Sequence, residues 1–284
     1  MGRSLPDSLS DQSRLLMKGS SRAFGGMVHH YQYSSAQLSS SIACSLFLPE
    51  KTLTQLVIWL PGIDHAAMSF MQVGGALSWA SRLGVGLFAC DPEPSHGLDF
   101  DGSEGNFASR TSFYWDAEKD PWQQVFKMES FLVKEVPLLL CRLCGLEELP
   151  QLGIMGHSMG GHGALYLGVK YPDLFHSVSA VAPITSPTQT TWGIEAYSRL
   201  KQEIDPASDA CELIRMRGYA KPLLVDQGLD DGLLATQLKP EFLQDACRDM
   251  KVDLRINFHE GRGHDYFFVQ EVMPSHLRFH LNFG

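Results

Sequence analysis

Between Leu152 and Gly163 the chain reads Leu-Gly-Ile-Met-Gly-His-Ser-Met-Gly-Gly-His-Gly, and no other stretch restricts its fold as much. Leu152–Gly156 is short, apolar and strand-like, the residues from Gly160 on carry helical spacing, and Ser158 stands between them with a glycine two positions before and two after. A strand that becomes a helix within so few residues needs a strained turn, and glycines at those two places let strand and helix pass without a side-chain clash. Such a turn lifts the serine hydroxyl above the carboxyl edge of a sheet. Ser158 is therefore a candidate nucleophile, and the N–H of Met159, at the start of the helix, is a candidate donor to an oxyanion.

The rest of the chain supplies the alternation this turn demands. Apolar runs of strand length recur at Leu56–Leu60, Val85–Cys90, Leu152–Gly156, Val178–Ile184, Pro222–Asp226 and Leu254–His259. Segments with helical spacing lie among them at Met68–Leu83, Gln123–Leu143, Gly160–Tyr171, Pro240–Met250 and Pro274–Phe283. Two alternating runs, 27–33 and 41–48, come first with no helix between them. The pattern predicts an α/β fold with a mostly parallel central sheet, an antiparallel N-terminal start and helices on both faces. No repeat and no linker divides the 284 residues, so 1–284 reads as a single domain, with 1–22 an N-terminal extension, partly flexible. The connections Asp91–Pro121 and Pro183–Pro222 read as long loops and candidate pocket walls.

A serine hydroxyl attacks only when a neighbour removes its proton, so a histidine oriented by a carboxylate must follow in the chain. His264 fits best: it lies between the last strand and the last helix, with Gly261 and Gly263 allowing that loop to bend. His259 belongs to the strand, and His276 and His280, spaced i, i+4, read as helix surface. The carboxylate must come from Asp226-Gln-Gly-Leu-Asp230-Asp231. Asp226 is still strand; Asp231 is the first choice in the loop, with Asp230 in reserve. A second oxyanion donor is expected after an earlier strand, where Pro61-Gly62-Ile63-Asp64-His65 points to the N–H of Ile63.

Charge and cysteine usage exclude other roles. The formal net charge of −9 and a pI near 5.6 give no general attraction to nucleic acid or to anionic membranes. No signal-like or membrane-spanning run is visible, and the six cysteines lie scattered in apolar surroundings, so the expected setting is cytoplasmic with reduced thiols. Cys141-Arg-Leu-Cys144 could serve a thiol redox protein, but it falls late in a helical segment, away from the helix N-terminus that would lower a thiol pKa. The acidic stretch Asp99, Asp101, Glu104 does not match a calcium loop, and no metal or cofactor is expected.

The long elbow Gly156-His-Ser-Met-Gly-Gly-His-Gly-Ala164, the loop Asp226-Gln-Gly-Leu-Asp-Asp231 and the stretch Gly263-His264-Asp-Tyr-Phe-Phe268 together resemble the S-formylglutathione hydrolase (esterase D) family. Phe24-Gly25-Gly26, Ala182-Pro-Ile184 and Trp192-Gly193 extend the resemblance over nearly the whole chain. It implies an α/β-hydrolase fold, favours Asp231 as the acid, and implies hydrolysis of a small-molecule thioester, S-formylglutathione, to formate and glutathione in formaldehyde detoxification. Activity on small esters and a homodimer are implied as well. His65, His157, Trp192 and Asp265 are the expected substrate-pocket residues. The family usually has Ser-Gly-Leu-Thr-Cys-Thr where this chain has Pro61-Gly-Ile-Asp-His65-Ala66, so a histidine stands in for the nearby cysteine. The alternative reading is a short-chain carboxylesterase or acyltransferase with little glutathione specificity.

Overall fold

The computed structural model describes residues 14–63, 65–95, 111–148 and 151–282. Its nine strands are β1 (Leu15–Ala23), β2 (Gly26–Ser35), β3 (Ser40–Pro49), β4 (Gln55–Leu60), β5 (Val85–Cys90), β6 (Leu152–His157), β7 (Phe175–Val181), β8 (Leu223–Gly228) and β9 (Leu254–His259). They form one sheet in the order β1-β2-β3-β5-β4-β6-β7-β8-β9. The pairings from β1 to β5 through β2 and β3 are antiparallel, and every pairing from β5 onward is parallel. Strands β4, β5, β6 and β8 are buried at every position, which is why they read as unbroken apolar runs: both of their faces are covered.

The helices are α1 (Ala67–Val73), α2 (Leu77–Leu83), α3 (Met128–Ser130), α4 (Val136–Cys144), α5 (Met159–Lys170), α6 (Thr191–Leu200), α7 (Ala210–Arg217), α8 (Pro240–Met250) and α9 (Tyr266–Leu281), with a π turn, Phe131–Glu135, between α3 and α4. Strand β7 shows how the layers divide. Its Ser177 and Ser179 bond to His280 and His276 of α9, while Val178 and Ala180 face Gly168 and Gly161 of α5 on the opposite side. Among the described residues no helix is long and apolar enough to cross a membrane.

Four expectations need correction. The extension read over 1–22 is strand from Leu15 on, paired with β2 from Leu15↔Tyr33 to Ala23↔Gly26. Its side chains are mostly exposed at the sheet edge, so it carries no apolar alternation. The single helix expected over Met68–Leu83 is two, broken at Gly74–Gly75, where Gly75 takes φ +67°. The last helix starts at Tyr266, eight residues before Pro274. The Asp265 carboxylate caps its first turn by accepting from the N–H of Phe268 (3.0 Å), and Phe268, Val269, Val272 and Met273 are packed into the core, so the proline is carried inside the helix. The Pro183–Pro222 connection is not a plain loop, because it folds as α6 and α7. In the other long connection, residues 96–110 lie outside the described residues, and with them Asp99, Asp101 and Glu104. Phe113, Tyr114, Trp115 and Ala117, just beyond, are fully buried.

Candidate active site

Strand β6 sits between β4 and β7, so its last residue delivers the chain to the middle of the sheet's carboxyl edge. There Ser158 takes φ 60°, ψ −121°, a conformation that costs a non-glycine residue about 1–3 kcal/mol. The surroundings fix it. Its N–H donates to the carbonyl of Val181 (3.0 Å), and its own carbonyl accepts from the N–H groups of His162 (3.0 Å) and Ile184 (3.2 Å). The glycines expected to relieve this turn are required by backbone: a Cβ on Gly156 would stand 2.2 Å from the carbonyl oxygen of Gly160, and one on Gly160 would stand 1.9 Å from that of Leu60.

The Ser158 hydroxyl donates to His264 Nε2 (2.8 Å), and His264 Nδ1–H donates to Asp231 Oδ2 (2.6 Å). Asp231 is buried; its other oxygen accepts from the Leu233 N–H (2.9 Å), which orients the carboxylate. The loops carrying the two residues are stitched together. The Leu229 N–H donates to the His259 carbonyl and the Asp230 N–H to that of Arg262, and Gly228 packs so closely on Arg262 that a Cβ would lie 2.3 Å from its carbonyl oxygen. The choice that sequence left between two aspartates is resolved in geometry. Asp231 reaches the imidazole, and Asp230 is exposed.

The partners of four other polar residues escaped sequence reading. His276 and His280, expected on the helix surface, are fully buried against β7. Asp226 accepts from His259 (2.6 Å), His276 (3.0 Å) and Asn257 (3.2 Å), His276 and His280 meet at Ser179, and His280 reaches Ser177. The i, i+4 spacing puts both imidazoles on one helix face, and the serines at alternate positions of β7 are the signal that this face is turned inward. Burial opposes ionisation of Asp226, but the bonds from His276, His259 and Asn257 hold its carboxyl below the usual range. Tyr114, at φ 60°, inserts beside Gly163 and donates its hydroxyl to the carbonyl of Pro61 (2.7 Å), so it fixes the loop opposite the elbow.

That loop lies against the nucleophile: a Cβ on Gly62 would be 3.2 Å from both the Cβ of Ser158 and the carbonyl oxygen of His157. His157 is buried with no hydrogen-bond partner on either nitrogen, and its ring lies 4.5 Å from that of His264. Burial, then the neighbouring His264 and His65, push it well below the ordinary histidine range, so it is a neutral wall for the His264 ring. His65 stacks on Tyr266 at 4.8 Å. Trp192, half-buried, donates its backbone N–H to the side-chain oxygen of Gln237 (3.2 Å). Asp265, expected in the pocket, caps α9 through its carboxylate.

Of the basic groups Arg110, Lys119 and Lys127, which glutathione's carboxylates would need, Arg110 lies outside the described residues and the two lysines are tied down. Lys119 donates to the Ser198 carbonyl and Lys127 to that of Ala117. A cleft of about 420 Å³ with Arg217 and Lys221 in its lining lies where the parallel strands begin, at the end of the sheet away from Ser158. Burial raises the thiols of Cys141 and Cys144, the latter to about 11, so the pair is a poor source of thiolate.

A nine-stranded, mostly parallel sheet with a strained serine at its carboxyl edge, hydrogen-bonded through histidine to a buried aspartate, defines a hydrolase of the α/β-hydrolase fold. Within that class the chain belongs to the Esterase family, whose model ("Putative esterase") matches residues 35–279. Among solved structures, it is similar to an S-formylglutathione hydrolase from Agrobacterium tumefaciens (TM-score 0.88, 29% identity, covering 94% of this chain and 99% of that one). It also shares its fold with a ferulic acid esterase (TM-score 0.69, 21% identity, 92% and 100% covered). A fluorophosphonate-binding serine hydrolase of Staphylococcus aureus shares the fold as well (TM-score 0.69, 14% identity, 90% and 99% covered).

Proposed function

We propose that the protein is a serine thioesterase and esterase that hydrolyses S-formylglutathione to formate and glutathione. The observation that carries this reading is the unbroken hydrogen-bond chain from Asp231 through His264 to Ser158, and the likeness to the Agrobacterium enzyme supports the substrate. In the first half-reaction His264 Nε2 takes the Ser158 proton as Oγ bonds to the formyl carbon. The N–H groups of Met159 and Ile63 receive the oxyanion. The C–S bond then breaks, and the imidazolium returns its proton to the departing thiolate, leaving a formyl ester on Ser158. In the second, His264 takes a proton from water as the water oxygen attacks the ester. The C–Oγ bond breaks, Oγ recovers that proton, and formic acid leaves with the water's other proton, which it gives up to solvent to become formate. Asp231 holds the Nδ1–H tautomer and faces the imidazolium in both halves.

The test is a comparison of kcat/KM for S-formylglutathione and for a small aryl acetate. The proposal expects the thioester to be preferred by at least about 1,000-fold, more than the roughly 10- to 200-fold that one apolar contact would give. Equal values would point to a general short-chain carboxylesterase, a reading with one observation in its favour: Lys119 and Lys127 are spent on backbone carbonyls instead of waiting for the carboxylates of glutathione.

A further inference from the structure

The turn that follows β4 is closed by one residue, His65, in two ways. Its backbone N–H donates to the carbonyl of Gly62 (3.3 Å), and its side chain bonds through Nδ1 to the carbonyl of Ile63 (2.8 Å). A carbonyl oxygen only accepts, so Nδ1 carries the proton in this contact. Because the Gly62–Ile63 peptide is planar and trans, engaging its carbonyl on the His65 side leaves the Ile63 N–H on the outer side of the turn. The turn itself abuts Ser158 and His157 at Gly62. The ring of His65 is in turn held from the other side, stacked on Tyr266 (4.8 Å, 25°) and edge-on to His157 (6.3 Å, 86°). Tyr266 follows His264 by two residues at the start of α9, so His65 ties the turn bearing one expected oxyanion donor to the segment bearing the expected base.

We propose that His65 is a positioning residue for the hydrolytic reaction: its Nδ1–H, anchored on the Ile63 carbonyl, sets the orientation of the turn whose Ile63 N–H receives the oxyanion. The inference rests on the reading of Ser158 as nucleophile and of the Ile63 N–H as a donor. A group that acts in this way leaves substrate affinity nearly untouched and lowers turnover, because the oxyanion forms only in the transition state. The ring is not assigned as the base, since the Ser158 hydroxyl is already hydrogen-bonded to His264 Nε2.

Three variants separate donation from packing. His65→Ala removes both, His65→Phe keeps a ring for Tyr266 without a donor, and His65→Asn keeps a short side-chain N–H without the stack. With a small aryl acetate, the Ala and Phe variants are expected to lose about 10- to 100-fold in kcat, with KM within about threefold of the parent, and Asn to regain most of the loss. If Phe matches the parent while Asn does not, the role is ring packing and the proposal is overturned. Unchanged kcat in the Ala variant also overturns it, and if that variant fails to fold, the comparison of Asn with Phe decides alone. Ser158→Ala, run in the same assay, keeps the two readings apart. Activity surviving there sinks the nucleophile assignment itself, whereas a dead Ser158→Ala beside a fully active His65→Ala sinks only the role of His65.

Discussion

At the level of single residues, the strain at Ser158 is made tolerable by hydrogens where side chains would otherwise be. Gly160→Ala is the sharpest probe, because its methyl would have to occupy space 1.9 Å from the Leu60 carbonyl oxygen and 2.4 Å from that of Pro61, both backbone atoms that cannot swing away. We expect a loss of about 3 kcal/mol in urea unfolding, together with most of the esterase activity, since the displaced segment leads straight into the oxyanion turn. A variant as stable as the parent would mean that the elbow and the β4 loop are not packed as described. The serine, its glycines and His264 were legible in sequence because local strain and loop position constrain them within a dozen residues. Asp231 was legible only as one of two neighbours, since which carboxylate turns inward depends on the Leu233 N–H and the His264 loop. Tyr114 and the paired bonds of His65 had no local signature: Tyr114 acts on a carbonyl 53 positions earlier in the chain.

At the level of elements, the strands were the most legible: Val85–Cys90, buried at every position, is an unbroken apolar run, and the partly exposed edge strand Leu254–His259 alternates, and both have the boundaries their composition suggested. Helix ends were less so. Pro274 looked like a beginning, and the true beginning, Asp265, was masked by its place beside the histidine, where a pocket role seemed natural. The cap gives a prediction that separates the two roles. Asp265→Ser, which keeps an acceptor for the Phe268 N–H, should retain stability and activity, while Asp265→Ala should cost about 1 kcal/mol with a modest fall in kcat as the His264 loop loosens. If Ser and Ala variants are equally impaired in KM for the substrate and unchanged in stability, Asp265 is a pocket residue after all. The buried face of α9 was misread for the opposite reason: histidines at i, i+4 look solvated unless the serines of β7 are recognised as their partners.

At the level of the whole molecule, buried histidines make the fold sensitive to acid. Burial lowers His162 and His280 to about 3, against 6.5 when exposed, His280 also feeling His276, and it holds His157 well below the ordinary histidine value as well. Between those values the unfolded chain binds protons that the folded chain refuses, so stability falls as pH drops below about 6.5, each group contributing up to about 1.4 kcal/mol per pH unit. Asp226 and Glu129, held below the usual carboxylate range, add to the loss at still lower pH, as protonation reaches carboxyls that the fold stabilises as anions. Urea midpoints should therefore be level from about pH 7 to 8.5 and decline steadily from pH 6 to 4.5; a flat profile down to pH 5 would contradict the neutral burial of these rings. The overall charge of −9 says nothing about the reaction; that rests on one serine. The most direct measurement is the steady-state hydrolysis of a small aryl acetate by Ser158→Ala beside the parent, with melting curves of both. Loss of at least about 1,000-fold in kcat at an unchanged melting temperature is the result expected for the attacking group, and turnover within a few-fold of the parent would contradict the account.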